Sequence, residues 1–271
     1  MATITASLVN ELRAKTGLGM MECKKVLTEV DGNLEAAVDA VRKKGVKASL
    51  TERAATEGRV ETLSHGSTAV AVEVVCNTDF TAKSDVVLEA AKLAAKKLAA
   101  APTTNVAEDA ELKAALENAS KVTGENVQLG RTAVVSGTTG GDVGSYLYST
   151  AGKGKIGVLL QFSGAVDEAL VKSLGMHVAA ARPVAMTRDQ VPAELVAKEK
   201  EIAVEQAKAT GKPQDIAEKI ALGKLNSFYA ERVLLDQEFI NAEIYKGKVS
   251  DLLKSKKIEL TKYVRLEVGQ A

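Results

Sequence analysis

Two stretches of this chain run through the same order of turns and periods, and that repetition constrains the fold more than any single motif. In residues 58–102 an extended run (59–63) meets a His65-Gly66-Ser67 turn; a strongly alternating strand (69–75) and an Ala-rich helix follow, and the unit closes at Pro102. Residues 144–183 repeat the order. An alternating run (145–149) leads to a Gly152-Lys153-Gly154-Lys155 turn, then a strand (156–162) and a helix closing at Ala181-Arg182-Pro183. Alternation of period two marks strands, and spacing of three and four marks helices. The chain therefore reads as two hairpin–helix units of mixed α and β character.

Around these units the chain divides further. Residues 1–45 read as a three-helix docking module, with Leu8, Val9 and Leu12 on one stripe, Cys23, Val26 and Leu27 on the second, and Leu34, Ala37, Val38 and Val41 on the third. Thr16-Gly17-Leu18-Gly19 is a tight turn, Asn33 is placed to cap the third helix, and Gly45 to end it. Of Met20 and Met21, one is expected inside and the other free as an adaptable contact. Residues 46–57 read as a linker. Residues 58–140 form the first core subdomain and 141–190 the first part of the second. Residues 191–230 hold two polar helical runs about Gly211-Lys212-Pro213, with Val191, Leu195, Ile202 and Ala209 on one and Ile216, Ile220, Gly223 and Leu225 on the other. So narrow a stripe suits a helical hairpin that projects from the body and buries only its seam, and it fits an ordinary surface helix pair as well. Residues 231–271 complete the second subdomain, with a strand at 233–235 and 239–240, a helix at 249–254 and a closing strand at 258–268.

The first strand-to-helix connection, 76–84, is longer than the second, 163–166, and it carries Asn77-Thr78-Asp79-Phe80-Thr81. Two readings stand side by side. Thr78 or Asp79 caps a helix and Phe80 folds back as a staple, or Phe80, beside the Asp79 carboxylate, projects to enter a partner. The extra length favours the second, because residues added to a loop between rigid elements more often serve binding.

Composition narrows the function. The net charge is +1 with acids and bases interspersed, and aromatic residues make up 3% of the chain with no Trp, which disfavours nucleic-acid electrostatics and base stacking. No apolar run reaches membrane-spanning length, and the N-terminus lacks a basic flank and apolar core, so the cytoplasm is the expected compartment. The two cysteines, Cys23 and Cys76, fall in separate modules and suggest neither disulfide nor zinc spacing. His177 lies on the apolar stripe of Leu170, Leu174 and Val178, as a core or interface histidine. No nucleophile–base pair stands out, the 137–144 Gly-rich turn is not a phosphate loop, and no cofactor or metal is expected. An interaction protein is the reading, not an enzyme.

The chain resembles the bacterial elongation factor Ts family, the nucleotide exchange factors of elongation factor Tu. The likeness rests on Leu12-Arg13-Ala14-Lys15-Thr16-Gly17-Leu18-Gly19-Met20-Met21-Glu22-Cys23, on Glu73-Val74-Val75-Cys76-Asn77-Thr78-Asp79-Phe80-Thr81-Ala82-Lys83, and on Met176-His177-Val178 and Gly211-Lys212-Pro213. The resemblance implies an α+β fold with an N-terminal ubiquitin-associated-like domain, two related core subdomains with antiparallel sheets and a protruding antiparallel coiled-coil hairpin. It implies that Thr78, Asp79, Phe80 and Thr81 enter the GTPase near its magnesium site and dislocate the ion. It assigns Arg13, Met20, Met21, Tyr148 and His177 to partner binding, Tyr148 standing where the family usually has a His. Partners implied are GDP-bound and nucleotide-free elongation factor Tu, with no direct nucleic acid or membrane contact. Longer members continue into a C-terminal module whose contacts are not expected of these residues. The alternatives from other classes are a ribosome- or RNA-associated scaffold using the hairpin and basic residues of 42–53, and a thiol enzyme built on Cys76.

Overall fold

A computed structural model describes residues 4–16, 19–43, 55–209 and 213–270. The Gly17-Leu18 turn, Gly45, most of the 46–57 linker and Gly211-Lys212 lie outside the described residues, as do the side chains of the basic 42–53 stretch.

Helices α1 (Ala6–Thr16), α2 (Met20–Glu29) and α3 (Leu34–Lys43) enclose a small core of Val9, Leu12, Cys23, Val26, Leu27, Ala37 and Val41. Asp31 and Gly32 turn the chain at positive φ, and the Ala36 amide donates to Asn33 Oδ1 at 3.0 Å, capping α3. One expectation fails here: neither methionine packs inside. Met20 is 56% and Met21 78% exposed. Both sit on the first turn of α2, whose inward stripe is already filled by Cys23, Val26 and Leu27.

The body is mixed α+β with two antiparallel three-stranded sheets. The first runs β1 (Glu57–His65), β2 (Thr68–Cys76), β3 (Gln128–Ser136) and the second β4 (Val143–Thr150), β5 (Lys153–Phe162), β6 (Leu260–Glu267), each in that spatial order. Between β2 and β3 lie α4 (Asp79–Lys83), α5 (Asp85–Ala100) and α6 (Ala110–Thr123). After β5 come α7 (Glu168–Ala181), the hairpin helices α8 (Ala193–Ala209) and α9 (Gln214–Arg232), and α10 (Val249–Ser255).

Each central strand is buried on both faces. Val70, Val72 and Val74 of β2 pack against α5 and α6 through Ala91, Ala94, Leu98 and Leu112. Ile156, Val158, Leu160 and Phe162 of β5 meet Leu170, Leu174 and Val178 of α7 and Leu252 of α10. The opposite faces meet one another, Val60, Ala69, Ala71 and Val135 against Leu159 and Leu266. A Cβ on Gly157 would lie 2.7 Å from Val60 Cγ1, so glycine is what lets the sheets approach. Glu73, the one charge in β2, falls on this inter-sheet side. It is buried and paired with Arg131 Nε at 2.9 Å, and Arg131 also donates to the Glu267 carbonyl, tying the two sheets.

The strand expected at 233–235 and 239–240 is not formed. Leu234–Asp236 is a 3-10 turn, and pairing is limited to single bridges at Val233 and Glu238. Leu234 and Phe239 plug the core one at a time, while the Gln237 side chain donates to the carbonyls of Ala181 and Glu231.

The hairpin forms, but with a different seam. Ala203, Ala207, Ala217 and Ala221 are buried between α8 and α9, whereas Ile202, Ile216 and Ala209 face outward. Alanine lets two helix axes approach closely, and the larger side chains are displaced from the contact. The base is a separate cluster of Ala185, Val191 and Val233 with Leu195, Phe228 and Tyr229 against it. Arg188 braces this base with two bonds to Asp236, at 2.8 and 3.0 Å. Replacing 197–226 with a short Gly-Ser link removes the alanine seam and one Arg188–Asn226 hydrogen bond but leaves the base cluster. The expected result is a cooperative melt within a few degrees of the parent; a molten, non-cooperative product would show that the hairpin belongs to the core.

Candidate partner-binding site

The extra residues of the first connection form α4. Thr78 does cap it, its Oγ1 accepting from the Thr81 amide at 3.3 Å, but Phe80 is no staple: its ring is 81% exposed. The inward side of the helix is taken by Thr81 and Ala82, which are buried, with Ala82 against Val74, Cys76 and Val87. The geometry of one helical turn therefore leaves Asp79 and Phe80 on the outside.

A five-residue helix has no stability of its own, and α4 is held at both ends. Glu125, just after α6, accepts from the Asn77 and Thr78 amides at 3.1 and 3.0 Å through Oε2, and from the Thr78 hydroxyl at 2.6 Å through Oε1. The Asn126 amide donates to Asn77 Oδ1 at 2.9 Å. At the other end buried Arg59 donates to the Ala82 carbonyl at 3.2 Å. On the outer surface Lys83 Nζ lies 2.7 Å from Asp79 Oδ2 and 5.9 Å from the centre of the Phe80 ring. The Lys83 hydrogen bond lowers the Asp79 pKa, so the carboxylate at the tip is ionised at neutral pH. Burial raises the Glu125 pKa, but hydrogen bonds from Thr78, Thr81 and the amides outweigh it and the net shift is downward.

Asp79 and Lys83 line a cleft with Thr56, Glu57, Thr150 and Lys153, so the β4–β5 turn stands beside α4. Tyr148, two residues before Thr150 and opposite Ile156 on β5, is exposed. Arg13, on α1, is exposed, as are Met20 and Met21.

His177 is elsewhere. It is 1% exposed, stacked on Phe239 at 5.5 Å; its Nε2 bonds Gln237 Oε1 at 3.0 Å, and its Nδ1 accepts from the Ile240 amide at 3.1 Å. Direct contact with a partner is closed to it in this conformation, because both ring nitrogens and one ring face are used internally. Burial lowers its pKa from 6.5 despite the Gln237 bond, so the folded state holds it neutral while the unfolded chain takes up a proton. Stability is therefore complete above about pH 6.5 and falls below it. Denaturation between pH 7 and 5, above the window of the carboxylates, should show this slope in the parent and lose it in His177→Leu. An equal slope in both would remove His177 as its source.

Cys76 is buried beneath the loop, its thiol donating to the Thr78 carbonyl, and burial pushes its pKa to about 11. A group so rarely ionised is a poor nucleophile, which removes the basis of the thiol-enzyme reading. Glu125 and Arg59 escaped the sequence reading. Nothing local marks either, since their partners lie 47 and 23 residues away. Lys83 escaped it too, although its four-residue spacing to Asp79 is a signal that could have found the pair.

A family model described as elongation factor TS matches residues 74–270. The chain is 40% identical over 281 residues to elongation factor Ts of Acinetobacter baumannii (strain ATCC 17978), covering 100% of this chain and 92% of that protein. It is 42% identical over 293 residues to elongation factor Ts of Syntrophotalea carbinolica, covering 98% and 93%. The chain belongs to the elongation factor Ts family. Membership in that family carries a role in protein biosynthesis, as a nucleotide exchange factor of translation elongation. Elongation factor Ts proteins are exchange factors and not catalysts of bond-making chemistry. Among the described residues no helix is long and apolar enough to cross a membrane.

Proposed function

We propose that this protein binds elongation factor Tu, in its GDP-bound and nucleotide-free forms, and speeds GDP release by pressing the α4 tip against the magnesium side of the nucleotide site. The observation that carries this reading is a large apolar ring, Phe80, held almost fully in solvent beside an ionised carboxylate, on a helix braced at both ends. Exposing a phenylalanine without a partner has no benefit to the free fold, whereas a rigid aromatic is an efficient anchor in an interface.

Magnesium in a GTPase requires near-ideal octahedral geometry and shares its ligands with the phosphates. A wedge that moves the surrounding backbone by about 1 Å weakens both grips, because packed sites have discrete arrangements and do not yield smoothly. Coupling is reciprocal: a protein that weakens GDP binding is itself bound less tightly when GDP is present. Exchange therefore passes through a ternary and then a nucleotide-free complex. Arg13, Met20 and Met21 on the helical module, and Tyr148 beside the α4 cleft, serve as docking contacts. His177 supports the surface from within, through Gln237 and the Ile240 amide. The place of action is the cytoplasm, with no direct contact to nucleic acid or membrane.

The test is the release of a fluorescent GDP analogue from elongation factor Tu. The protein should accelerate it in a saturable way, and excess GDP should weaken the complex. Release at the unassisted rate, at every concentration, would contradict the proposal.

A further inference from the structure

We infer that Glu125 is a positioning residue for exchange: it aims the α4 wedge without belonging to it. This rests on the reading of α4 as the element that opens the nucleotide site.

Glu125 sits 47 residues beyond Thr78, in the turn that ends α6. Its own place is well determined. Gly124 closes α6 in the left-handed conformation, the Glu125 amide donates to Thr123 Oγ1 at 3.3 Å, and the next two residues are tied to Asn77 Oδ1 and Ser120 Oγ. From this base one carboxylate takes three donors at the entrance of α4, the amides of Asn77 and Thr78 and the Thr78 hydroxyl, and the Thr81 side chain adds a further hydrogen bond from within the helix. The same Thr78 oxygen then accepts from the Thr81 amide. Glu125 thus fixes the residue that caps α4, and the cap fixes the turn that presents Asp79 and Phe80. None of its hydrogen bonds reaches Asp79 or Phe80.

Without the carboxylate, two amides at the foot of α4 lose their acceptor and the hydroxyl turns free. The short helix is then held by Arg59, by the Asn126–Asn77 and Cys76–Thr78 hydrogen bonds and by the burial of Thr81 and Ala82, and with its cap loosened the Phe80 ring spreads over more directions. Docking through other surfaces is untouched, but the wedge must be ordered after docking. The loss therefore falls on the rate of release in the complex and not on its formation.

Three proteins test this: the parent, Glu125→Ala and Glu125→Gln. Glutamine has the same shape; its carbonyl accepts from the two amides and its NH2 donates to the second lone pair of Thr78 Oγ1. With elongation factor Tu and a fluorescent GDP analogue, Glu125→Ala should lower the saturating release rate by about tenfold. The half-saturating concentration should stay within roughly threefold of the parent, and Glu125→Gln should recover most of the rate. Amide hydrogen exchange on the free proteins gives a readout independent of the partner. Asn77, Thr78 and Ala82 should exchange faster in the alanine variant, with β2 protection unchanged and the glutamine variant near the parent. An unchanged saturating rate, a shift confined to half-saturation, or a glutamine variant no better than alanine overturns the inference. A parent that fails to accelerate release overturns the functional reading instead, and the amide measurement then decides the bracing of α4 separately.

Discussion

Replacing Phe80 with alanine is expected to leave the fold intact and to remove most of the exchange activity. A buried phenylalanine truncated to alanine costs about 3–5 kcal/mol, but Phe80 is four-fifths in solvent, with the Lys83 ammonium 5.9 Å from its ring centre. Chemical denaturation of the variant should therefore match the parent to within about 0.5 kcal/mol, as for ordinary surface changes. In the complex, an aromatic anchor is worth about 2–4 kcal/mol, which at 1.4 kcal/mol per tenfold is a loss of roughly 25-fold or more in coupling to the GTPase. Asp79→Ala should act in the same direction, because a methyl cannot compete for ligands around magnesium as a carboxylate does. Its fold should also hold, since the Lys83–Asp79 pair is exposed and such pairs contribute little. Denaturation and GDP-release kinetics on the same preparations separate the cases. A large stability loss with normal release by the remaining folded protein would sink the wedge.

The second large effect belongs to the fold. Leu159 is fully buried between the sheets, among Val60, Ala69, Ala71, Val135 and Leu266. Leu159→Ala should cost about 2–5 kcal/mol from lost burial and the cavity left behind, lowering Tm by roughly 2–4 °C for each kcal/mol. Because the residue lies between the units, both should feel it. Amide protection at Val70 and Val72 of β2 should fall together with that at Val158 and Leu160 of β5. If β2 kept the parent's protection while β5 lost its own, the sheets would be independently stable and the shared face would matter little.

Much of this architecture was legible because the signals are local. The alternation at 69–75 and 156–162 and the three-and-four spacing at 85–101 mark β2, β5 and α5 within a residue or a few. The failures are equally specific. Alternation in β2 says that its two faces differ, yet both are buried, since another sheet covers the side that an isolated sheet would show to water. The apolar residues at 233–240 resemble a strand, but they pair only through single bridges and fill the core from a 3-10 turn. In the hairpin, hydrophobicity pointed to Ile202 and Ile216, whereas closeness of approach selected the alanines.

By itself, the sequence determined most of the helices and strands, though not the 233–240 segment or α4, together with the order of the two hairpin–helix units, the placing of Asp79 beside Phe80 in an over-long connection, and the family. These follow from spacing along the chain and from neighbours in sequence, which no later contact can alter. Only the tertiary structure decided that Phe80 points outward, that His177 is closed to direct contact, that Met20 and Met21 are both free, and that Glu125 and Arg59 hold α4. Each of these depends on what meets a residue after the chain has returned to it from tens of positions away. A side chain's period tells which way it points, but its burial and its hydrogen bonds are set by whatever arrives on that side.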